Sequence, residues 1–219
     1  MPRTISVKGE GKISARPDYI AVTLNLQSKE KEYAAAMDKA DRDSEAITAA
    51  VTGAGFEKEA LKTTNFNVRT EYEGYHDPEG NYRQRFAGYA VTVGLTLGFD
   101  FDTARLAGVL GAIGDCGANP EIAIRFTLRD PEAVRREVLE AAAKDARSKA
   151  EILAAASGVK LGKLLNVEYN WHNAAFDSAT SVTADNAMMP RMAKAAFAAN
   201  MTPEDVEIVD SAGFVWEIE

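Results

Sequence analysis

The chain has 219 residues, 46% of them hydrophobic and 26% charged, with a formal net charge of −8 at pH 7. A chain of this length and composition can bury a substantial core without disulfides or metals, and its acidic balance argues against a nucleic-acid-binding surface. It has no run of about 18 or more apolar residues, which excludes an ordinary spanning helix. Cys116 is its only cysteine, so no intrachain disulfide can form.

Two strands are predicted at the beginning of the chain, separated by Arg16-Pro17-Asp18. Apolar residues occupy alternate positions on both sides of this break, which is the pattern of a strand with one buried face. The alternating residues are Ile5, Val7, Ile13 and Ala15 before the break and Ile20, Val22, Leu24 and Leu26 after it. Because Pro17 has no N–H and Asp18 favours a turn, the first strand should end there.

A helix and a long hairpin are predicted next. Ser28 is a suitable N-cap for a helix that runs to about Thr52 and ends at Gly53-Ala-Gly55. Two strands follow, from Leu61 to about Tyr72 and from Tyr82 to Leu97. The segment between them is rich in turn-forming residues, which predicts that the two strands form a hairpin.

The second half of the chain predicts two further helices and three strands. Asp102 opens a helix that ends near Gly114, and Asp130-Pro131 opens the longest helix, which ends at Ser157. The three strands run over Glu121–Leu128, Lys163–Trp171 and Val206–Ile218. Gly213 is a candidate bulge in the last of these strands.

The order of these elements predicts the fold class. Helix, glycine stop, polar joint and strand recur three times, which indicates helices packed on one face of a sheet. Because the long hairpin is antiparallel, the fold class is α+β with a mixed, largely antiparallel sheet, and not a doubly wound fold. The chain is interpreted as one domain over 1–219, or as two interlocked halves of about 1–100 and 101–219.

The regular pattern breaks down between residues 172 and 203. Two interpretations stay open for this segment. One is a mobile surface loop, although a structureless stretch of about 30 residues is unusual inside a compact domain. The other is an interaction arm whose soft apolar side chains pack against a neighbour. The side chains that would make this contact are Met188, Met189, Met192 and Phe197.

No group of residues predicts catalysis, and neither a metal nor a cofactor is expected. His76 and His172 are the two histidines of the chain, and they lack the spacing of a metal site. Cys116 is predicted to lie at a helix C-terminus, where the helix dipole disfavours the thiolate that a nucleophile needs. A passive thiol is therefore the favoured interpretation.

Two glycine-containing motifs are interpreted as structural. Lys8-Gly-Glu-Gly-Lys12 lies inside a predicted strand and lacks the pattern of a phosphate-binding loop. Gly108, Gly111 and Gly114 are three residues apart on a predicted helix. Their spacing predicts a close-packing helix face and does not match the dinucleotide-binding fingerprint.

The predicted hairpin interleaves aromatic and basic side chains, namely Tyr72, Tyr75, Tyr82, Arg83, Arg85 and Phe86. Such interleaving can bind single-stranded nucleic acid, but four acids share the same tip: Glu71, Glu73, Asp77 and Glu79. The interpretations kept are cross-strand packing of the rings and an interface with another protein, where Tyr and Arg are common anchors. These six side chains and the four of the proposed arm are the candidate interface residues.

The order and spacing of several short motifs are similar to those of the SIMPL domain family. The motifs are Ile5-Ser-Val-Lys-Gly-Glu-Gly11, Arg16-Pro-Asp18, Leu61-Lys-Thr-Thr64, Gly88-Tyr-Ala-Val-Thr-Val93, Ala142-Ala-Lys-Asp-Ala-Arg147 and Ser157-Gly-Val-Lys-Leu-Gly162. The terminal strand also fits. Each motif alone is unspecific, whereas together they cover nearly the whole chain.

The resemblance implies an α+β protein without known catalysis, usually exported, that can assemble into ring-like or channel-like homo-oligomers. It also implies a link to stress tolerance, and an animal relative binds a signalling kinase. The leading hypothesis is a non-enzymatic self-assembling protein, and the alternative is a module that binds a client protein or peptide. A periplasmic or envelope location is expected if a leader has been removed, and a cytoplasmic one if the sequence is complete. No nucleic-acid partner is expected.

Overall fold

The computed structural model describes residues 3–170, 176–185 and 201–219. Its helices in these residues are α1 (Tyr33–Gly53), α2 (Thr103–Asp115) and α3 (Pro131–Ala156). Its strands are β1 (Thr4–Ala15), β2 (Tyr19–Glu30), β3 (Leu61–His76), β4 (Tyr82–Asp100), β5 (Glu121–Thr127), β6 (Leu161–Glu168), β7 (Asp177–Asp185) and β8 (Val206–Ile218). The α+β class and the hairpin of β3 and β4 are confirmed.

The described strands form two sheets, whereas the sequence predicted one. The smaller sheet has the order β1-β8-β6 and the larger has the order β3-β4-β2-β5-β7. β1 pairs with β8, and β2 pairs with β4, both in antiparallel register. Strands that are consecutive in the chain therefore enter different sheets at the break predicted around Pro17.

The described residues belong to two compact units, each assembled from separate stretches of the chain. The first unit draws on 1–18, 127–179 and 203–219, and the second on 19–126 and 180–202. The boundary expected near residue 100 does not divide these units, because β4 before that residue and α2 after it belong to the same unit.

In the first unit, α3 packs on the smaller sheet through small residues. Its buried side chains are Val138, Ala142, Ala146, Ala150 and Ala154. A Cβ placed on Gly9 would overlap the Ala142 carbonyl oxygen, and one placed on Gly11 would overlap that of Val138. The two glycines of β1 therefore allow the helix backbone to approach the strand closely, which is a packing role.

α3 also protects the outer edge of β1. The Glu10 N–H donates a hydrogen bond to Asp145 Oδ2 at 2.8 Å, and Lys149 Nζ lies 2.6 Å from the same carboxylate. The hydrogen bond from Lys149 and then that from the Glu10 amide hold the pKa of Asp145 below its usual value of 3.8. An edge N–H that a side chain occupies is not open to pairing with a foreign strand.

In the second unit, α1 and α2 pack on one face of the larger sheet through large aliphatic side chains. Ile20, Val22, Leu24 and Leu26 of β2 lie opposite Phe99, Leu97, Leu95 and Val93 of β4, and all eight are buried. Ile47, Val51, Leu106, Val109 and Ile113 of the two helices join the same core. The alternation predicted for β2 is confirmed, and the face carrying these residues is hereafter called the helix side of the sheet.

The predicted helix caps have mixed outcomes. Asp102 and Asp130 are N-caps as predicted, since their side chains accept the backbone N–H groups of Arg105 and Ala133. Ser28 is not a cap: it lies inside β2, is buried, and donates from Oγ to Asp43 Oδ2 at 2.9 Å. The prediction failed because the sequence does not show whether a serine hydroxyl caps the next helix or bonds a side chain of that helix from inside a strand.

Two predictions about glycines are wrong. Gly213 is not a bulge, since β1 and β8 keep a continuous register past it. The irregular pairing of β8 is with its other neighbour, β6, between Leu161 and Asn166. A Cβ placed on Gly108, Gly111 or Gly114 would meet no described atom within 4 Å. These three glycines therefore do not form a close-packed face with any described residue.

The region between 172 and 203 contains a strand that the sequence pattern did not predict. β7 is the terminal strand of the larger sheet, next to β5. A wholly structureless interpretation of this region is therefore wrong for residues 177–185. Its sequence, Asp-Ser-Ala-Thr-Ser-Val-Thr-Ala-Asp, has a single large apolar residue, Val182, so it carries little alternation.

Candidate functional site

The candidate site lies at the distal end of the hairpin of β3 and β4, where a tight turn joins the strands. Asp77 organises the turn: its Oδ1 accepts the N–H groups of Glu79 and Asn81 at 3.1 and 2.9 Å. Gly80 adopts φ +84°, a left-handed conformation that favours glycine. The Asn81 amide, then the side-chain hydrogen bond from Arg83, lower the pKa of Asp77 from its usual value of 3.8.

A β-bulge marks the point where the hairpin leaves the sheet. Glu71 pairs with Gly88, but Tyr72 pairs with Phe86, so Ala87 is the extra residue of β4. Gly88 has φ +148°, and a Cβ there would overlap the carbonyl oxygen of Glu30. The pairing of β2 with β4 ends at Glu30 and Tyr89, so β3 and β4 continue alone as a two-stranded ribbon.

The structure brings the six predicted hairpin residues together but divides them between two faces. Tyr72, Tyr82 and Phe86 lie on the helix side, in line with Tyr89, which pairs with Thr70 and packs against the core. Tyr75, Arg83 and Arg85 lie on the opposite side, because side chains alternate along each strand. The sequence pattern could not assign these faces, since the bulge reverses the parity of β4.

The helix-side residues form a continuous row of rings, here called the aromatic face. The Tyr72 and Phe86 centroids are 6.2 Å apart, Phe86 lies 5.3 Å from Tyr89, and Tyr89 lies 5.6 Å from Tyr33. At the tip, the Tyr82 ring covers Gly74 and lies 5.8 Å from His76. Most of these rings meet edge to face, an arrangement that ring quadrupoles favour.

The aromatic face is exposed because none of the described helices of the second unit extends over it. Tyr33, the first residue of α1, already lies at its inner end. Tyr33, Tyr72, Tyr82 and Phe86 keep 53%, 59%, 64% and 48% of their surface exposed. Sequence analysis missed Tyr33, although a large aromatic at the first position of an amphipathic helix was a usable signal.

The opposite side of the ribbon is charged and internally compensated. Arg85 pairs with Glu73 and lies 5.7 Å from the centre of the Tyr75 ring, and Arg83 Nε lies 3.1 Å from Asp77 Oδ2. At the base, a hydrogen bond from Arg69 and the charge of Lys29 lower the pKa of Glu71 from its usual value of 4.5. Glu71, Glu73 and Asp77, three of the four acids that argued against nucleic-acid binding, are thus partners of the basic residues.

The other candidate residues are not part of this surface. Cys116 follows α2, is half-buried, and its Sγ donates to the Ile113 carbonyl oxygen at 3.1 Å. His76 is exposed beside Tyr82. Among the described residues, no three His, Cys, Asp or Glu side chains are grouped so that they could hold a metal ion.

Several predicted residues lie outside the described ranges. They are His172 and the four residues of the proposed arm, Met188, Met189, Met192 and Phe197. Within residues 3–170, 176–185 and 201–219, no helix has both the length and the apolar character needed to cross a bilayer.

In comparisons with known proteins, the chain matches a family model and is similar to two named proteins. The family model SIMPL, described as "Protein of unknown function (DUF541)", matches residues 5–216. The "26 kDa periplasmic immunogenic protein" of Brucella melitensis biotype 1 is 29% identical over 167 residues, and that of Brucella abortus strain S19 is 28% identical. Both alignments cover 76% of this chain and 66% of the relative's length, so the chain spans just under two thirds of these relatives.

Proposed function

The chain belongs to the SIMPL family, and from that premise we propose that it is a non-enzymatic protein that assembles with copies of itself through the aromatic face. The observation that carries this proposal is the row of half-exposed rings on Tyr33, Phe86 and Tyr72, which Tyr89 connects, with the exposed Tyr82 ring at the tip of the ribbon on the same side. Contiguous exposed apolar surface of this kind is typical of protein–protein contacts, in which Tyr and Phe are enriched.

The area of the aromatic face is suited to an interface. An aromatic side chain can bury roughly 150–250 Å². With about half of each ring exposed, Tyr33, Tyr72, Tyr82, Phe86 and Phe66, which lies on the same side, offer on the order of 500 Å² per copy. A standard interface buries about 800 Å² per partner, so the rings would supply its apolar centre and neighbouring polar residues its rim.

Charge does not oppose the approach of a second copy at the distal ribbon. The chain is strongly acidic, with a net charge of −8, and two copies should repel each other over most of their surface. The distal ribbon is an exception, because Glu73 and Asp77 are paired with Arg85 and Arg83. Two ribbons can therefore approach each other without a large electrostatic cost.

The test is the solution mass of the full chain, measured by light scattering after gel filtration across a range of concentrations. The wild type should exceed 23.6 kDa. The double variant Tyr72→Ala/Phe86→Ala should shift the population toward the monomer by at least tenfold in dissociation constant, since central aromatic anchors dominate interface energies. Tyr75→Ala is the matched control, because Tyr75 lies on the same ribbon but on the charged side.

Two outcomes of this experiment would overturn the proposal. A wild-type chain that stays at 23.6 kDa at every concentration has no self-assembly to explain. A Tyr75→Ala variant that dissociates as much as the double variant would mean that the aromatic face is not the contact. Replacing Met188, Met189, Met192 and Phe197 by Ser tests the proposed arm separately, with a lower mass as the expected result.

A second candidate function is a module that binds a client protein or peptide. The supporting observation is the long outer edge of β3, which is the terminal strand of its sheet in the described residues and is exposed along nearly its whole length. Extended segments can add to such an edge as an extra strand. A stable monomer that captures one defined protein partner, with capture lost when Val68→Pro blocks the edge, would favour this function over self-assembly.

For location, we propose the periplasm or cell envelope, supported by the printed names of the two Brucella relatives, which call those proteins periplasmic. Fractionation of cells that express the complete coding region tests it, and recovery of the protein only with cytoplasmic markers would contradict it. A role in stress tolerance is a separate proposal, tested by the peroxide sensitivity of a strain that lacks the protein.

A further inference from the structure

The smaller sheet has two outer edges, and the described residues protect one of them. On β1, Asp145 accepts the Glu10 N–H, and Lys149 Nζ donates to the Lys8 carbonyl oxygen at 3.4 Å. The other edge belongs to β6, the terminal strand next to β8. Within the described part of the chain, no side chain makes such a contact with the backbone of residues 163–168. An edge of this kind can pair with another strand.

β6 exposes apolar side chains along this edge. Leu164, Leu165 and Val167 keep 50%, 47% and 48% of their surface exposed. Leu164 pairs with Trp216 and Val167 with Phe214, whose rings are stacked in the buried cluster under α3. Because Leu165 is an extra residue in this pairing, Leu164 and Val167 lie on the same side of the sheet although they are three residues apart. They extend that cluster to the outer edge of the sheet.

The apolar stretch of β6 has opposite charges at its two ends. Lys163 precedes Leu164, and Glu168 follows Val167. Lys163 is exposed and makes no ion pair with a described residue. Glu168 is also exposed, and it accepts a hydrogen bond from the neutral Asn166 amide at 3.2 Å. The edge is therefore positive at one end, mainly apolar in the middle and negative at the other end.

We propose that the outer edge of β6 pairs in antiparallel orientation with the same edge of a second copy of this chain. When Lys163 lies opposite Glu168 of the second copy, Leu164 lies opposite Val167, and the two-fold axis repeats both pairs. Opposite charges and apolar side chains that face each other across antiparallel strands stabilise the pairing. The contact joins the two smaller sheets into one continuous sheet.

The complementarity is specific to one orientation and one register, and it identifies a second copy as the occupant. A parallel pairing in register would place Lys163 against Lys163 and Glu168 against Glu168, and like charges that face each other are destabilising. An antiparallel pairing shifted along the strand would separate both ion pairs. A foreign strand would need an acid and a base at this same spacing, whereas a second copy supplies them by symmetry.

This contact is separate from the aromatic face. β6 belongs to the first unit, and the hairpin and α1, which form the aromatic face, belong to the second. The proposal rests on the proposed function only in that both take a second copy as the partner. Two different self-contacts on one chain allow assemblies larger than a dimer.

The test uses the full chain with Tyr72→Ala/Phe86→Ala, so that a change at the aromatic face cannot alter the result. Light scattering over a concentration series should show association that saturates at twice 23.6 kDa. Adding Lys163→Glu or Glu168→Lys should raise the dissociation constant of this dimer by roughly tenfold or more, because each change places like charges in contact twice.

Mixing the Lys163→Glu chain with the Glu168→Lys chain should restore the dimer. Both positions are then acidic in one chain and basic in the other, so both ion pairs can form between them. Lys58→Glu is the matched control, because Lys58 is exposed in the second unit and its replacement changes the net charge as Lys163→Glu does. It should dimerise as the background variant does. Thermal unfolding checks that every variant is folded.

The pattern of results separates the two self-contacts. The pairing of β6 is overturned if the Tyr72→Ala/Phe86→Ala chain stays at 23.6 kDa while the wild type assembles, an outcome that leaves the aromatic face in place. It is also overturned if Lys163→Glu and Glu168→Lys dimerise like the Lys58→Glu control, or if their mixture does not dimerise. A wild type that stays monomeric at every concentration contradicts both contacts.

Discussion

The two sheets receive their helices in different ways. α3 meets the smaller sheet through a row of alanines against Gly9 and Gly11, so that helix and strand backbones nearly touch. α1 and α2 meet the larger sheet mainly through Ile, Leu and Val side chains, although α1 also buries Ala36 and Ala40. The first arrangement should tolerate no added volume, and the second should tolerate no lost volume, because protein interiors are close-packed.

The largest expected effect comes from adding volume to the smaller sheet. Gly9→Ala/Gly11→Ala places two methyl groups against helix carbonyl oxygens, and should destabilise the first unit by more than about 4 kcal/mol, in the exceptional range for substitutions. Hydrogen exchange of β1, α3 and β8 would report the loss.

Gly108→Ala/Gly111→Ala is the matched control in α2, where a Cβ meets nothing within 4 Å. It should stabilise α2 by roughly 1–2 kcal/mol in total, because alanine favours helix over glycine. Equal changes in stability for the two double variants would refute the contrast between the packing of α3 on the smaller sheet and that of the helices on the larger sheet.

The next effect comes from removing volume at two phenylalanines of the same strand, β4. Phe99→Ala should cost about 3–5 kcal/mol, since Phe99 is only 5% exposed and lies 5.1 Å from the Phe56 ring. Phe86→Ala should cost at most about 1 kcal/mol in the monomer, because half of the ring is already exposed. Denaturant unfolding at a concentration too low for assembly measures both values, and a comparable loss for Phe86 would mean that its ring is covered within the monomer.

The smallest effects concern the two organising carboxylates, Asp145 in the first unit and Asp77 in the second. The pKa of each is lowered in the folded chain, from 3.8, so the stabilisation is present above the unfolded value and is lost as pH falls through the folded value. Only below about pH 4 should hydrogen exchange of the Glu10 and Asn81 amides therefore become faster than the intrinsic pH dependence of amide exchange predicts. Asp145→Asn should remove this acid response at Glu10 alone, and Asp77→Asn at Asn81 alone.

These regions also differ in how far they could be predicted from sequence. The core face of β2 was predictable because Ile20, Val22, Leu24 and Leu26 alternate, and alternation reports burial of one strand face directly. The packing role of Gly9 and Gly11 was not, because it depends on where α3 crosses β1, about 130 residues later in the chain. The same limit applies to Ser28, whose partner Asp43 lies on another element.

The candidate surface was predictable in composition but not in arrangement. Tyr72, Tyr82 and Phe86 could be named from the sequence as interface candidates, yet so could Tyr75, Arg83 and Arg85, which lie on the opposite side. The bulge at Ala87 decides which residues share a face, and Tyr33 joins them only because α1 begins beside Tyr89.

By itself, the sequence determined the local structure of this protein: the break at Pro17, the caps at Asp102 and Asp130, the bounds of β8 and the α+β class. These features depend on backbone conformation and on hydrogen bonds within a few residues, which the local residues control. Only the tertiary structure decided which strands share a sheet and which side of the ribbon stays uncovered. Alternation identifies the buried face of a strand but not the element that covers it. The covering element depends on packing between segments that are far apart in the chain.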